Sequence, residues 1–262
     1  MSDLVELALR LYDLGFNVVP VDVNKRPLCP WSSSRRVGRE VLEELLDRAT
    51  GIAIVAGAEN PSKPVAILVI IDVDRPSALE RTPMLKTFIE KTVHWHTGPR
   101  CPKCEEKHLD VIELGRMFRC PKCDIEFPAN EARRGLGALF TVSVGDAEML
   151  GGTLRFGDIE ILVNNYQLIP PSLHPSGVRY EWVREFDFSS PNLGVYSLIG
   201  AELKLVLDEL GSSTVPAGPK PAGARKAGLR ELGDGDLLKL KELLKDAYRP
   251  GSRQMLLLYL SG

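Results

Sequence analysis

No apolar run in this chain reaches the ~18 residues that a membrane-crossing helix requires. The opening stretch does not join basic residues to a long apolar core, so no secretory leader is expected, and the chain reads as soluble and cytoplasmic. An excess of one charge is missing as well: 33 Lys and Arg face 35 Asp and Glu, for a formal net charge of -2. That balance argues against a protein that wraps nucleic acid with its whole surface, and leaves room for an enzyme that touches it locally. Cysteine is scarce, at five in 262 residues. Four of the five fall in two pairs, Cys101/Cys104 and Cys120/Cys123, with Cys29 alone. In an intracellular chain that grouping favours metal over disulfides. Internal repeats are absent, and the 44% of hydrophobic residues suffice for a core, so the length suits one large or two modest domains.

What is present starts with Val65 to Asp74, "VAILVIIDVD". A short apolar run rich in β-branched residues predicts a strand buried on both faces. Asp72 and Asp74 are two apart, so they share a face at its end. Two carboxylates so placed repel unless a positive group sits between them, and a divalent cation is the usual one.

Around this strand the pattern alternates. Leu4, Leu7, Leu11 and Leu14 predict a first helix that Gly15 stops. "FNVVPVDV" follows as a strand, then a turn-like segment with Lys25 and Trp31, and a helix from about Val37 to Ala49. "GIAIVAG" is a short buried strand, and Pro76 starts a helix through roughly Thr92. "GALFTVSV", "DIEILVNNYQLIPPS" and "VRYEWV" are predicted strands, and a helix over 199–210 ends at Gly211. Residues 211–232 read as a flexible basic linker. The segment 233–262 reads as the start of a helical domain, and its unpartnered apolar end suggests a longer protein.

"CPKC" occurs twice, separated by fifteen residues whose alternation and glycine predict a hairpin. Cys101, Cys104, Cys120 and Cys123 supply four thiolates for one tetrahedral Zn²⁺, so the unit resembles a zinc ribbon spanning about 97–130. With all four positions taken by protein, its expected job is structural and separable from catalysis. Lys103, Lys107, Arg116, Arg119 and Lys122 suit contact with backbone phosphates.

Further along, Asp158 and Glu160 share a face of another predicted strand, so at least one of them meets the Asp72/Asp74 pair across a sheet. Three converging carboxylates would hold Mg²⁺ or Mn²⁺ for phosphoryl or nucleotidyl transfer. In "PPSLHPSG", Pro170 and Pro171 stiffen a loop that presents Ser172 and His174, a hydroxyl and an imidazole suited to a triphosphate or a ribose. Lys25 on the early loop is a further candidate for contact with nucleotide or template.

In order, "GFNVVPVDVNKRPLCPW", "GIAIVAG", "VIIDVD", "GDIEI" and "YQLIPPSLHPSGVRYEW" resemble the primase-polymerase domain of archaeal plasmid and virus replication proteins, in the archaeo-eukaryotic primase superfamily. The likeness covers residues 1 to about 200. It implies an α/β (α+β) catalytic domain over 1–210 with split sheets, carrying the ribbon as an insertion. It also implies template-dependent nucleotidyl transfer with two divalent ions, Mg²⁺ or Mn²⁺, held by Asp72, Asp74 and Asp158, a DNA template and primer, nucleoside triphosphates, and a helicase domain farther along the chain. Carried over, the first motif falls on Asp72 and Asp74 and the third on Asp158, with Glu160 its close rival. The histidine of the second motif has no counterpart: "VHWHTGPR" runs straight into the ribbon. His96, His108, His174 and Arg134 are the candidates to replace it. Two rivals stand beside this reading, a zinc-ribbon adapter without catalysis and a metal-dependent nuclease or phosphohydrolase.

Overall fold

The protein is described by a computed structural model over residues 3–60 and 63–213. Most of the predicted linker and all of the predicted C-terminal helical segment lie outside the described residues. Helix α1 (Asp3–Asp13) buries Ala8 and Leu11 on its inner face, and the chain turns at Gly15 with a φ of 97°, open to glycine. Then come β1 (Val18–Val21), α2 (Arg39–Leu46), β2 (Gly51–Val55), β3 (Glu59–Asn60) and β4 (Lys63–Val73). The single helix predicted from Pro76 is in fact two pieces, a 3-10 turn over Pro76–Arg81 and α3 (Pro83–Ile89). Pro83 drives Thr82 out of the helical region (φ -134°, ψ 64°) and starts a new helix.

The rest of the chain supplies β5 (His94–Arg100), β6 (Asp110–Glu113), β7 (Met117–Cys120), β8 (Ile125–Pro128), β9 (Arg133–Ser143) and α4 (Val144–Leu150). After these follow β10 (Leu154–Phe156), β11 (Ile159–Leu162), β12 (Tyr166–Ile169), β13 (Glu181–Arg184), β14 (Tyr196–Ser197) and α5 (Gly200–Ser213). Helix α5 runs two residues beyond Gly211.

Three sheets result, in a mixed α/β architecture. A large one is ordered β10-β11-β4-β9-β5-β13, with β3 on β4 and β14 on β9; a small one is β1-β2-β12; the third is the ribbon, β6-β7-β8. β4 is the spine of the large sheet and is buried on both faces. Leu68 and Ile70 pack with α1, α2 and the small sheet, while Val69, Ile71 and Val73 pack with α3, α4 and α5. Each such side chain contributes about 1.5–3 kcal/mol by its burial.

One predicted element divides. "DIEILVNNYQLIPPS" does not form one strand: it bends at Asn164, which takes a left-handed φ of 56° that asparagine tolerates. Its first half, β11, joins the large sheet and its second half, β12, the small one. The stretch therefore spans the gap between the two sheets, and the loop with His174 follows the small sheet.

Candidate active site

The acids meet where β4 and β11 lie side by side. The two strands are antiparallel with Asp72 opposite Glu160 and Val73 opposite Ile159, and Asp74 N–H donates to the Asp158 carbonyl at 2.8 Å just past the ladder. Strand alternation then puts Asp72 and Glu160 on one side and Ile71, Val73, Ile159 and Ile161 on the other, with Asp74 and Asp158 one residue beyond the ladder. The carboxyl of Asp72 is the most enclosed. Burial, then the facing charges of Asp74 and Glu160, push it up to about 7. Gln167 Nε2, from β12, donates to its Oδ1 at 3.2 Å.

Asp74 behaves in the opposite way. Burial would raise it, but Lys107 Nζ at 2.7 Å from Oδ2 and Arg100 Nη2 at 2.7 Å from Oδ1 hold it below the usual carboxylate range. Arg100 is itself fixed, since its Nε donates to the Asp74 carbonyl and its Nη1 to that of Pro99. Of the two rivals for a third acid, Glu160 faces Asp72 and lies 3.3 Å from Arg155, whereas Asp158 is turned to Arg75 at 3.5 Å.

A cavity of about 260 Å³ opens on Asp72 and Asp74, and its lining includes Lys25, Arg100, His174 and Tyr180. Lys25 comes from the turn after β1, in a left-handed conformation (φ 65°). Burial, then the nearby Arg100 charge, lowers its pKa. His174 Nδ1 accepts the Ser176 backbone N–H at 3.2 Å and contacts its hydroxyl at 2.8 Å. Burial and the cations Lys25, Arg100 and Arg134 push the imidazole down to about 3, so it is neutral at pH 7. A neutral ring that accepts at Nδ1 carries its proton on Nε2. That nitrogen faces Gly98, where even a Cβ would come within 2.4 Å of it. His174 is thus a fixed neutral donor in the lining of the same cavity as the acids.

The other candidates are placed elsewhere. Ser172 does not line the cavity: it is fully buried, its Oγ accepts Ile52 N–H at 2.9 Å and donates to Ile52 O at 3.0 Å. Both capacities of the hydroxyl are used to clasp the His174 loop to β2. His96 pairs with Glu181 across β5 and β13, and its buried Nδ1 has no hydrogen-bond partner among the described residues. His108 is exposed on the ribbon. Arg134 spends its guanidinium on the Thr97 and Arg179 carbonyls, bracing β9 against its neighbours. Arg100, Gln167, Tyr180 and Gly98 are site residues the sequence reading passed over, although "HTGPR" and "YQLIPPS" contain three of them.

The ribbon has its own centre. Sγ of Cys101 and Cys123 are 3.4 Å apart, Cys104 and Cys120 3.5 Å, Cys104 and Cys123 3.7 Å, and all four lie within 4.8 Å of one another. Disulfides need ~2.05 Å, while four sulfurs at ~2.3 Å from one zinc stand about 3.8 Å apart, so the residues fit zinc. Among the described residues no other group of three or more Cys, His, Asp or Glu has its donor atoms so close.

The ribbon is not a detached surface. Lys107 reaches Asp74, Glu105 binds Ser77 and Arg133, and Gly115 N–H donates to the Ser176 carbonyl at 2.9 Å. Val178, from the His174 loop, completes the ribbon's small core of Cys101, Phe118, Cys120 and Phe127. Arg116 and Arg119 are paired with Glu113 and Asp124, so its exposed basic character rests mainly on Lys103 and Lys122.

Residues 8–192 match the family model described as bifunctional DNA primase/polymerase, N-terminal. The chain belongs to that family. Membership supports a nucleotidyltransferase of the primase/polymerase type, acting with DNA and nucleotides. No curated protein matches the chain. Among the described residues no helix is long and apolar enough to cross a membrane.

Proposed function

We propose that this primase/polymerase-family chain is a template-dependent DNA primase and polymerase whose nucleotide site is the cavity between Asp72/Asp74 and His174. The observation that carries the reading is the lining of that cavity, where Asp72 and Asp74 lie together with two cations, Lys25 and Arg100, and a neutral imidazole N–H. A magnesium- or manganese-bound triphosphate presents the complementary set, a cation for the acids and anionic oxygens for the other groups. Burial, with the facing charges of Asp74 and Glu160, raises the Asp72 carboxyl to about 7, and a divalent ion held by these oxygens would offset both, so these residues fit such an ion. When bound, such an ion neutralises charge at the phosphates and lowers the pKa of the attacking 3′-hydroxyl.

The chain's own residues do the rest. Asp72 and Asp74 supply anionic oxygens, and Glu160, directly across from Asp72, is favoured over Asp158 as the third. Gln167 holds Asp72 in orientation. Arg100 and Lys25 offset phosphate charge, and His174 donates from Nε2 to a phosphate oxygen in the role the family gives to its second-motif histidine. Exposed Lys103 and Lys122 suit the template backbone. The domain scheme (a catalytic body over 1–210 of primase type with a ribbon inserted at 97–130, a linker at 211–232 and a helical segment at 233–262) belongs to this proposal. So do the plasmid or virus setting and a helicase partner farther along the chain.

The test is incorporation of labelled nucleotide on a primed and an unprimed oligonucleotide template, with and without Mg²⁺ or Mn²⁺. Extension that requires the metal and is lost in Asp72→Asn is the expected result. Metal-dependent shortening of the labelled strand would make the site a nuclease, and template binding with neither outcome would leave an adapter.

A further inference from the structure

The contact between Lys107 and Asp74 has no place in the expected division between a structural ribbon and a catalytic sheet. We propose that Lys107 is a movable nucleotide-binding cation carried into the active site by the zinc knuckle: it neutralises Asp74 while no divalent ion is bound, and passes to the phosphates of the incoming nucleoside triphosphate once an ion takes its place. This rests on the polymerase reading above.

The two cations on Asp74 differ in how they are held. Arg100 has a side chain only 9% exposed and is tied to two backbone carbonyls, so it stays where it is. Lys107 is 48% exposed along its side chain, and among the described residues its ammonium bonds to Asp74 Oδ2 alone. An ammonium on a flexible four-carbon stem moves at little cost, whereas a fork bound at three points does not. Its backbone, by contrast, is set by the knuckle: Cys101 N–H donates to the Glu106 carbonyl at 3.0 Å and Glu105 N–H to the Cys101 carbonyl at 2.9 Å. The metal centre therefore fixes where the stem begins and leaves its tip free to choose between two anions.

Charge decides the choice. An ion arriving at Asp72 and Asp74 competes with Lys107 for Asp74 Oδ2, and the displaced ammonium has Arg100 and Lys25 as close neighbours. Three cations beside one another repel, and a triphosphate on the same side relieves that repulsion.

Isothermal titration of zinc-loaded wild type, Lys107→Met and Lys107→Arg tests this with two ligands: Mn²⁺ alone, and a non-hydrolysable dATP analogue at saturating Mn²⁺. Removing the competing ammonium should tighten Mn²⁺ binding by Lys107→Met about three- to fivefold, the worth of a part-exposed ion pair. The same variant should bind the analogue about tenfold more weakly, for one lost charge-assisted contact. Lys107→Arg, which keeps the charge, should bind the analogue within about twofold of wild type, with zinc content reporting that each variant is folded. Opposite signs in the two titrations support the swap. Weakening of both, or no change in either, overturns it while the polymerase reading stands. Wild type that takes up no analogue overturns both.

Discussion

The cysteine cluster and the acid cluster are two metal sites of opposite construction. The cysteines come from two turns close in the chain, Cys104 and Cys120 being 16 positions apart, and their sulfurs already stand at tetrahedral spacing in a small local core. The acids come from β4 and β11, strands far apart in the chain, and are more widely spaced, with Lys107 and Arg100 against Asp74. Neutral thiols tolerate crowding without a metal and carboxylates do not, so the second site needs resident cations that the first does without. What joins them is the ribbon itself, which supplies one of those cations.

The sharpest way to break the comparison is at the acids. Asp72→Asn and Asp74→Asn should each lower nucleotide incorporation by at least about a thousandfold, because a hard divalent ion needs anionic oxygen where an amide offers none. Stability separates this from loss of a salt bridge. The folded Asp72 carboxyl keeps its proton to about 7, while the unfolded one releases it near its usual 3.8. The folded state therefore loses stability as pH climbs between those values, and asparagine, which cannot ionise, does not. With no divalent ion added, Asp72→Asn should melt several degrees above wild type at pH 8, by a margin that narrows steadily as the pH is lowered and closes near pH 4, by calorimetry. Glu160→Gln should fall with the two aspartates. Asp158→Asn, which gives up an exposed contact with Arg75, should stay within about threefold of wild type; the reverse order in extension assays would restore Asp158 as the third acid.

Next in size is the ribbon. Cys101→Ser combined with Cys120→Ser should strip the zinc and expose the amides of residues 101–128 to hydrogen exchange, since such units fold with their metal. Because Lys107 and the Gly115–Ser176 contact go with it, incorporation should drop by at least about tenfold. Activity that survives zinc loss intact would return the ribbon to a structural appendage.

Smaller still is Gly98→Ala. The methyl would meet His174 Nε2 at 2.4 Å and push the ring from its place. The expected result is a rise of roughly five- to tenfold in KM for nucleotide, with kcat changed less and a stability cost of about 1–3 kcal/mol from overpacking. An unchanged KM would remove the imidazole from the nucleotide site.

The same contrast explains what could be read in advance. Cysteine pairs at fixed spacing carry their geometry in one dimension, and so do strand-end aspartates, which is why both stood out. β4 was legible because Leu68, Val69, Ile70 and Ile71 are all buried, leaving no alternation to mislead. Arg100 and Lys107 were not legible as site residues, for their roles arise only when the ribbon docks on the sheet. Ser172 looked like a ligand because its loop is rich in polar turn residues, and only the β2–β12 pairing shows its hydroxyl to be spent on Ile52. Asn164 hid the division of one predicted strand between two sheets, since a lone left-handed residue leaves no periodic trace.

The ribbon leaves the large sheet after Arg100 and returns at Arg133, residues that face each other in the β5–β9 ladder. Facing residues in an antiparallel pair have Cα atoms only about 4.5–5.5 Å apart. Thirty-two residues are thus inserted through a doorway that an ordinary hairpin turn would close. The ladder can close around an insertion of any length here without losing a rung, yet a module exchanged at this point would have to bring its own cation to Asp74 and its own partners for Ser77 and Ser176.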